Sequence, residues 1–126
     1  MILCDTNILI EFYKDTPTIV NELRHIGQRQ LSISSITQAE LYYGAINKDE
    51  LKKIKQHLAL LSLFSLDVEI SRVFILLMET YSLSHKLSIP DALIAATALV
   101  HQIPLYTLNV KDFRFITGLE LYRPEL

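Results

Sequence analysis

Four acidic residues stand at comparable points along the chain. Asp5 follows the apolar run Met1-Ile2-Leu3-Cys4, and Glu40 lies one turn into the segment after Leu31-Ser32-Ile33-Ser34. Asp91 opens an alanine-rich stretch, and Asp112 comes shortly after Leu105-Tyr106-Thr107. Taken singly, each has an ordinary structural explanation. Asp5 could cap a helix beginning at Thr6. Thr37-Gln38-Ala39-Glu40 fits a capping box with Glu40 reaching back to the Thr37 N–H, and Asn109-Val110-Lys111-Asp112 fits the same logic more loosely. Asp91, behind Pro90, complements a helix dipole.

Taken jointly they imply chemistry. Two carboxylates about 4 Å apart repel by roughly 4 kcal/mol at an effective dielectric near 20. A helix dipole offsets only about 1 kcal/mol. A converging set therefore needs raised pKa values or a bound cation. An all-oxygen cluster without His or Cys suits Mg²⁺ or Mn²⁺ rather than zinc. The chemistry of such a centre is metal-assisted displacement at phosphorus by an activated water. Thr6, Asn7, Thr107 and Asn109 are short polar groups suited to holding the carboxylates or metal-bound water. His25, His57, His85 and His101 are scattered and read as surface or helix-end residues.

The elements must bring those acids together. Met1 to Cys4 reads as a buried strand, and Thr6 to Tyr13 as a helix with Ile8, Leu9 and Phe12 on one face. Asp15-Thr16-Pro17 is a turn that starts a second helix, closed near Ile26 by Gly27. Leu31 to Ser34 alternates like a strand. A helix is expected from Thr37 to about Ile46 and an amphipathic one from Glu50 to Leu61, lysines on one side. Leu63 to Leu66 is a short strand. Val68 to Leu87 is a long helix whose core stripe (Ile70, Val73, Phe74, Leu77, Tyr81) is widened by Ile75, Leu76 and Met78. Pro90 to Val100 is a helix whose alanines allow close packing. Pro104 to Thr107 is a strand, Asn109 to Phe115 a short helix, and Leu119 to Tyr122 a last strand. Strands alternating with helices predict an α/β fold with a mostly parallel sheet, its site at the carboxyl ends of the strands.

Composition narrows the alternatives. The chain has 126 residues, 50% hydrophobic and 21% charged, with a mean hydropathy of +0.27. That suits one domain, 1–126, able to bury roughly two-thirds of its surface. The apolar surplus points to a partner interface. Three scattered glycines (Gly27, Gly44, Gly118) exclude glycine-rich phosphate loops. The lone Cys4 excludes an intrachain disulfide or cysteine-rich zinc site. A net charge of −2 gives no general attraction to nucleic acid. Leu58 to Leu66 is too short to span a bilayer, which needs about 20 apolar residues. No signal peptide is read at the N-terminus, so a cytoplasmic location without membrane contact is expected.

Four segments resemble the motifs of PIN domains, in order. Cys4-Asp5-Thr6-Asn7-Ile8-Leu9-Ile10 is similar to the opening strand and turn, and Ser35 to Ala45, around Glu40, to the second motif. Asp91 to Leu99 resembles the third and Thr107 to Phe113 the fourth, so the likeness spans Met1 to about Leu121. It is greatest to VapC-type toxins of toxin–antitoxin pairs. The resemblance implies a three-layer α/β/α sandwich and Mg²⁺- or Mn²⁺-dependent endoribonuclease activity on RNA. It also implies a homodimer and a cognate VapB-type antitoxin. Asp5, Glu40 and Asp91 match the family's acidic core as catalytic and metal-binding residues. Asp112 matches a fourth, more variable acid, and Asn109 stands where relatives carry Asp or Asn, so either could be the fourth ligand.

Two positions depart from the pattern. Leu108 replaces a frequent arginine, and Gln102 stands where glycine often follows. Phosphate contacts would then fall to local cations: Lys14, Lys111 and Arg114. Two alternatives stay open, a partner-binding module of the same fold without significant catalysis and a structure-specific DNA nuclease. A receiver domain would need paired acids after the first strand, and a haloacid-dehalogenase-like phosphatase an Asp at position 7. Neither is present.

Overall fold

The computed structural model describes residues 1–124. Its central strand, β1 (Ile2–Cys4), sends alternate side chains to opposite faces of the sheet: Leu3 packs into one apolar layer and Cys4 into another. β4 (Leu105–Tyr106) repeats the division, with Leu105 joining Leu3 and Tyr106 joining Cys4. In β2 (Leu31–Ser34), Leu31 and Ile33 fill the Cys4 layer. Ser32, fully buried, donates its hydroxyl to the Ile2 carbonyl oxygen at 2.8 Å. β3 (Ser62–Phe64) is the more exposed edge. All pairings are parallel, in the order β3-β2-β1-β4.

Helices cover both faces. α1 (Thr6–Tyr13), α2 (Pro17–Ile26), α3 (Ser35–Tyr43) and α4 (Lys48–Leu58) supply Ile8, Leu9, Ile19, Leu23, Leu41, Ile54 and Leu58 to the Cys4 layer. α5 (Val68–His85) and α6 (Ile89–His101) supply Ile70, Leu77 and the α6 alanines to the Leu3 layer. The three-residue link between α5 and α6 makes them antiparallel neighbours, and Ala92, Ala95, Ala96 and Ala98 let them lie close on the sheet. The expected three-layer α/β/α sandwich is present. Among the described residues, no helix is long and apolar enough to cross a membrane.

Several boundaries differ from those read in the sequence. α3 starts at Ser35 because Ser34, ending β2, accepts the Ile36 N–H at 3.2 Å; Thr37 is therefore not its cap, and the Thr37–Glu40 capping box does not form. α3 also stops at Tyr43 rather than near Ile46, where the Gly44 N–H reaches the Glu40 carbonyl. Asn47 caps α4 through the Glu50 N–H at 2.8 Å, moving that helix to Lys48–Leu58. Leu61 is still buried, but beyond the helix end. β3 begins at Ser62 instead of Leu63 and ends at Phe64. α5 ends at His85, and Met78 packs against the core rather than widening the outer face. The segment after β4 holds only a 3₁₀ turn, Val110–Asp112, and Asn109 makes no side-chain cap there. The expected last strand reduces to one parallel bridge, Leu121 beside Leu105.

Candidate metal centre

From β1 the chain moves outward to β2 and β3, then returns to place β4 on the other side of β1. The direction of winding reverses between β1 and β4, and a parallel sheet opens a crevice there at its carboxyl edge. Asp5 is the first residue after β1 and Thr107 the first after β4. The Thr107 hydroxyl donates to Asp5 Oδ2 at 2.7 Å, and the Thr6 N–H donates to Asp5 Oδ1 at 2.8 Å. Asp5 thus caps α1, as its single-residue reading predicts, and also lies 96% buried in the crevice, with 4% of its surface exposed. Burial raises its pKa, the two hydrogen bonds lower it, and the charges of Glu40 and Asp112 raise it again.

Glu40 arrives from the second turn of α3. The Thr6 hydroxyl donates to its Oε1 at 2.7 Å and lies 3.0 Å from the Thr37 hydroxyl. A hydroxyl carries one hydrogen, so with Thr6 donating to Glu40, Thr37 supplies the hydrogen of the second contact. Thr37 is fully buried. Its place in this relay was masked in the sequence by its fitness as a cap.

Asp91 sits in the first turn of α6. Ser88 caps that helix, accepting the Asp91 N–H at 3.2 Å, and also bonds the Asp91 carboxyl. Burial, foremost, then the charge of Asp5, and further those of Asp112 and Glu40, push the Asp91 pKa up to about 6 against the pull of Ser88. Ser88 had a legible signal, a Ser three residues before an acid at a helix start.

Asp112 lies exposed in the 3₁₀ turn after β4. Its charge reaches both Asp5 and Asp91. Asn109 donates its N–H to Thr107 Oγ1 at 3.0 Å, and Asn7 accepts the Leu108 N–H at 3.3 Å, tying the loop after β4 to α1. Asp5 thus feels the charges of Glu40 and Asp112, and Asp91 those of Asp5, Asp112 and Glu40. Among the described residues, no group of three or more acid, histidine or cysteine side chains is arranged so that it could hold a metal ion as it stands. The donor set itself is all oxygen, as Mg²⁺ and Mn²⁺ prefer.

The three cations divide. Lys111 and Arg114 flank Asp112 and are exposed. Lys14 stands at the far end of α1 from Asp5, about 12 Å along the helix axis, and pairs with Glu11 at 3.4 Å. Three of the histidines stack on phenylalanine rings. His57 stacks on Phe12 and meets the Tyr13 hydroxyl at 2.8 Å, while His101 stacks on Phe64.

Comparison with known proteins agrees with this architecture. Residues 2–116 match the PIN domain family. The chain is 34% identical to Ribonuclease VapC1 of Rickettsia felis, over 95% of this chain and 93% of that protein. A toxin–antitoxin complex from Klebsiella pneumoniae contains a chain 32% identical, with a TM-score of 0.81 over 94% of this chain and 95% of that one. A chain of VapBC-1 from nontypeable Haemophilus influenzae is 27% identical, with a TM-score of 0.82 over 97% of each. With acids at the four motif positions and relatives that align along almost their whole length, the chain belongs to the PIN-domain family, among its VapC-type members.

Proposed function

We propose that this chain is a metal-dependent endoribonuclease, the toxin of a VapBC-type pair. The observation that carries the reading is Asp5: a carboxyl group buried at the switch point, its proton affinity raised by Glu40 and Asp112, and its own charge raising that of Asp91. Burial of like charges costs folding free energy, and a divalent cation offsets that cost. Asp5 and Asp91 would hold Mg²⁺ or Mn²⁺ directly, with Glu40 direct or through water and Asp112 completing the set. When bound, the ion supplies Lewis acidity at a phosphate oxygen and lowers the pKa of water.

The chain's own groups do the positioning. Thr6 and Thr107 fix both Asp5 oxygens. Thr6, backed by Thr37, aims Glu40 to orient the attacking water. Asn7 and Asn109 hold the loop that carries Asp112. In-line attack of water on the phosphodiester leaves a 5′-phosphate and a 3′-hydroxyl. Lys111 and Arg114 are placed to meet RNA phosphates; the pairing and position of Lys14 leave it a lesser part. The names of the relatives support a VapB-type antitoxin as partner, and the apolar outer face of α5 supports a homodimer, each chain a single domain working in the cytoplasm.

The test is RNA cleavage by the purified chain with Mg²⁺ or Mn²⁺, beside Asp5→Asn and a chelated sample. Wild-type cleavage should stop on chelation and return with either ion. Asp5→Asn should lose more than the ~10²-fold that removing a supporting group costs. A folded Asp5→Asn protein that still cleaves at the wild-type rate would refute the assignment.

A further inference from the structure

We propose that Tyr81, His85 and Phe115 form a stacking platform for an unpaired base of the RNA beside the acid crevice, an inference that rests on the ribonuclease reading. The His85 and Phe115 rings lie face to face, centroids 4.0 Å apart and planes within 13°. Tyr81 meets both edge-on, at 5.7 Å and 5.1 Å. Tyr81 is itself pinned: it accepts the Thr117 N–H at 3.1 Å, and its hydroxyl lies 3.4 Å from Thr117 Oγ1. Ser84 Oγ, 2.8 Å from His85 Nδ1, orients the imidazole. Phe115 is half-buried and packs on the core, whereas His85 is exposed. The stack therefore has a fixed inner ring and an open outer one.

Its place follows from the chain. Phe115 comes three residues after Asp112, so their Cα atoms are at most about 10 Å apart. His85 ends α5, and the link to α6 leads straight to Ser88 and Asp91. Lys86 and Arg114, both exposed, adjoin His85 and Phe115 in sequence. Aromatic faces flanked by cations beside a phosphodiester-cutting centre are the elements of single-strand recognition, in which base stacking is tolerant of sequence. A stack already held rigid loses little conformational freedom when a base adds to it.

Two measurements on a short mixed-sequence single-stranded RNA test the platform: Kd in chelator, and KM and kcat with Mg²⁺. His85→Ala should weaken binding and raise KM about ten-fold, as for one lost base stack, with kcat changed much less. His85→Trp should restore both. Because His85 is exposed, the alanine variant keeps the core intact. Unchanged Kd and KM in His85→Ala would overturn the platform. So would a His85→Ala protein with unchanged RNA binding but weakened capture by its antitoxin, which would assign the stack to a protein partner. If wild type binds RNA through His85 but never cleaves it, the platform stands and the nuclease reading falls.

Discussion

Asp5 opposes folding in its charged form. Burial and two neighbouring acids raise its pKa above the ordinary value, so the folded chain holds that proton more tightly than the unfolded one. A raised pKa contributes stability below the unfolded value and loses it as pH rises through the folded value. At pH 7 without divalent ions, Asp5→Asn should therefore melt higher than wild type while losing cleavage, a common exchange at active sites. Calorimetry checks it. Asp91 obeys the same sign: its contribution is full below 3.8 and gone above about 6. The stability advantage of Asp91→Asn over wild type should grow between pH 4 and pH 7 and then level off. Mg²⁺, competing with protons for the same oxygens, should raise the wild-type melting temperature more at pH 7.5 than at pH 5. Thr107→Val removes a bond that lowers the Asp5 pKa. It should cut cleavage about 10- to 100-fold and move the acid limb of the pH–rate profile upward. A limb left in place would count against Thr107 as the group that tunes Asp5. At this scale Thr6 and Thr107 were legible because short hydroxyl residues sat beside acids at strand ends. Thr37 was not, since Ser34, Ser35 and Thr37 are all good caps and sequence alone cannot rank them.

The alternation in Leu31-Ser32-Ile33-Ser34 predicted β2 because period two separates its faces, and the structure turns Leu31 and Ile33 into one apolar layer while Ser32 and Ser34 hydrogen-bond backbone groups. The segment after β4 was less legible. A helical pattern there requires only a few apolar positions, and Phe113 and Ile116 supply them by packing into the core from a turn. The helix ends carry a signal of their own. Gln102 follows α6 with φ of 53°, in the left-handed region that glycine adopts most readily. A side chain there costs about 1–2 kcal/mol, part of which a glycine returns through the unfolded state. Gln102→Gly should raise stability by roughly 0.5–1 kcal/mol in urea titration, with cleavage unaffected.

At the scale of the molecule, the apolar surplus in the composition has a location. Val68, Ile75, Leu76 and Leu83 recur along the outer face of α5, and Leu83 is 88% exposed. Leu66, Val68, Ile75 and Leu76, with Arg72, border a shallow groove of about 780 Å³ on the same face. A stripe of this kind is characteristic of a surface covered by protein. Light scattering should give twice the 14.5 kDa chain mass, and the double change Leu76→Asp, Leu83→Asp should give the single-chain mass with helicity retained. The sequence read Ile75 and Leu76 as surplus to the core, as the structure has them, but counted Met78 with them and did not single out Val68 or Leu83, since one long helix can be rotated a few tens of degrees without breaking its periodicity.

Cys4, next to Asp5 in the central strand, is completely enclosed, and burial followed by the Asp5 charge pushes its thiol up to about 12. Thiolate is the form that alkylating and oxidising reagents attack. The sulfur is thus out of reach of such reagents while the middle of the sheet stays closed, and each labelling event records one opening of that sheet. The chain carries its own clock for the breathing of that sheet, readable by mass spectrometry after labelling with no engineered cysteine, and a divalent ion bound at Asp5 should make it tick more slowly.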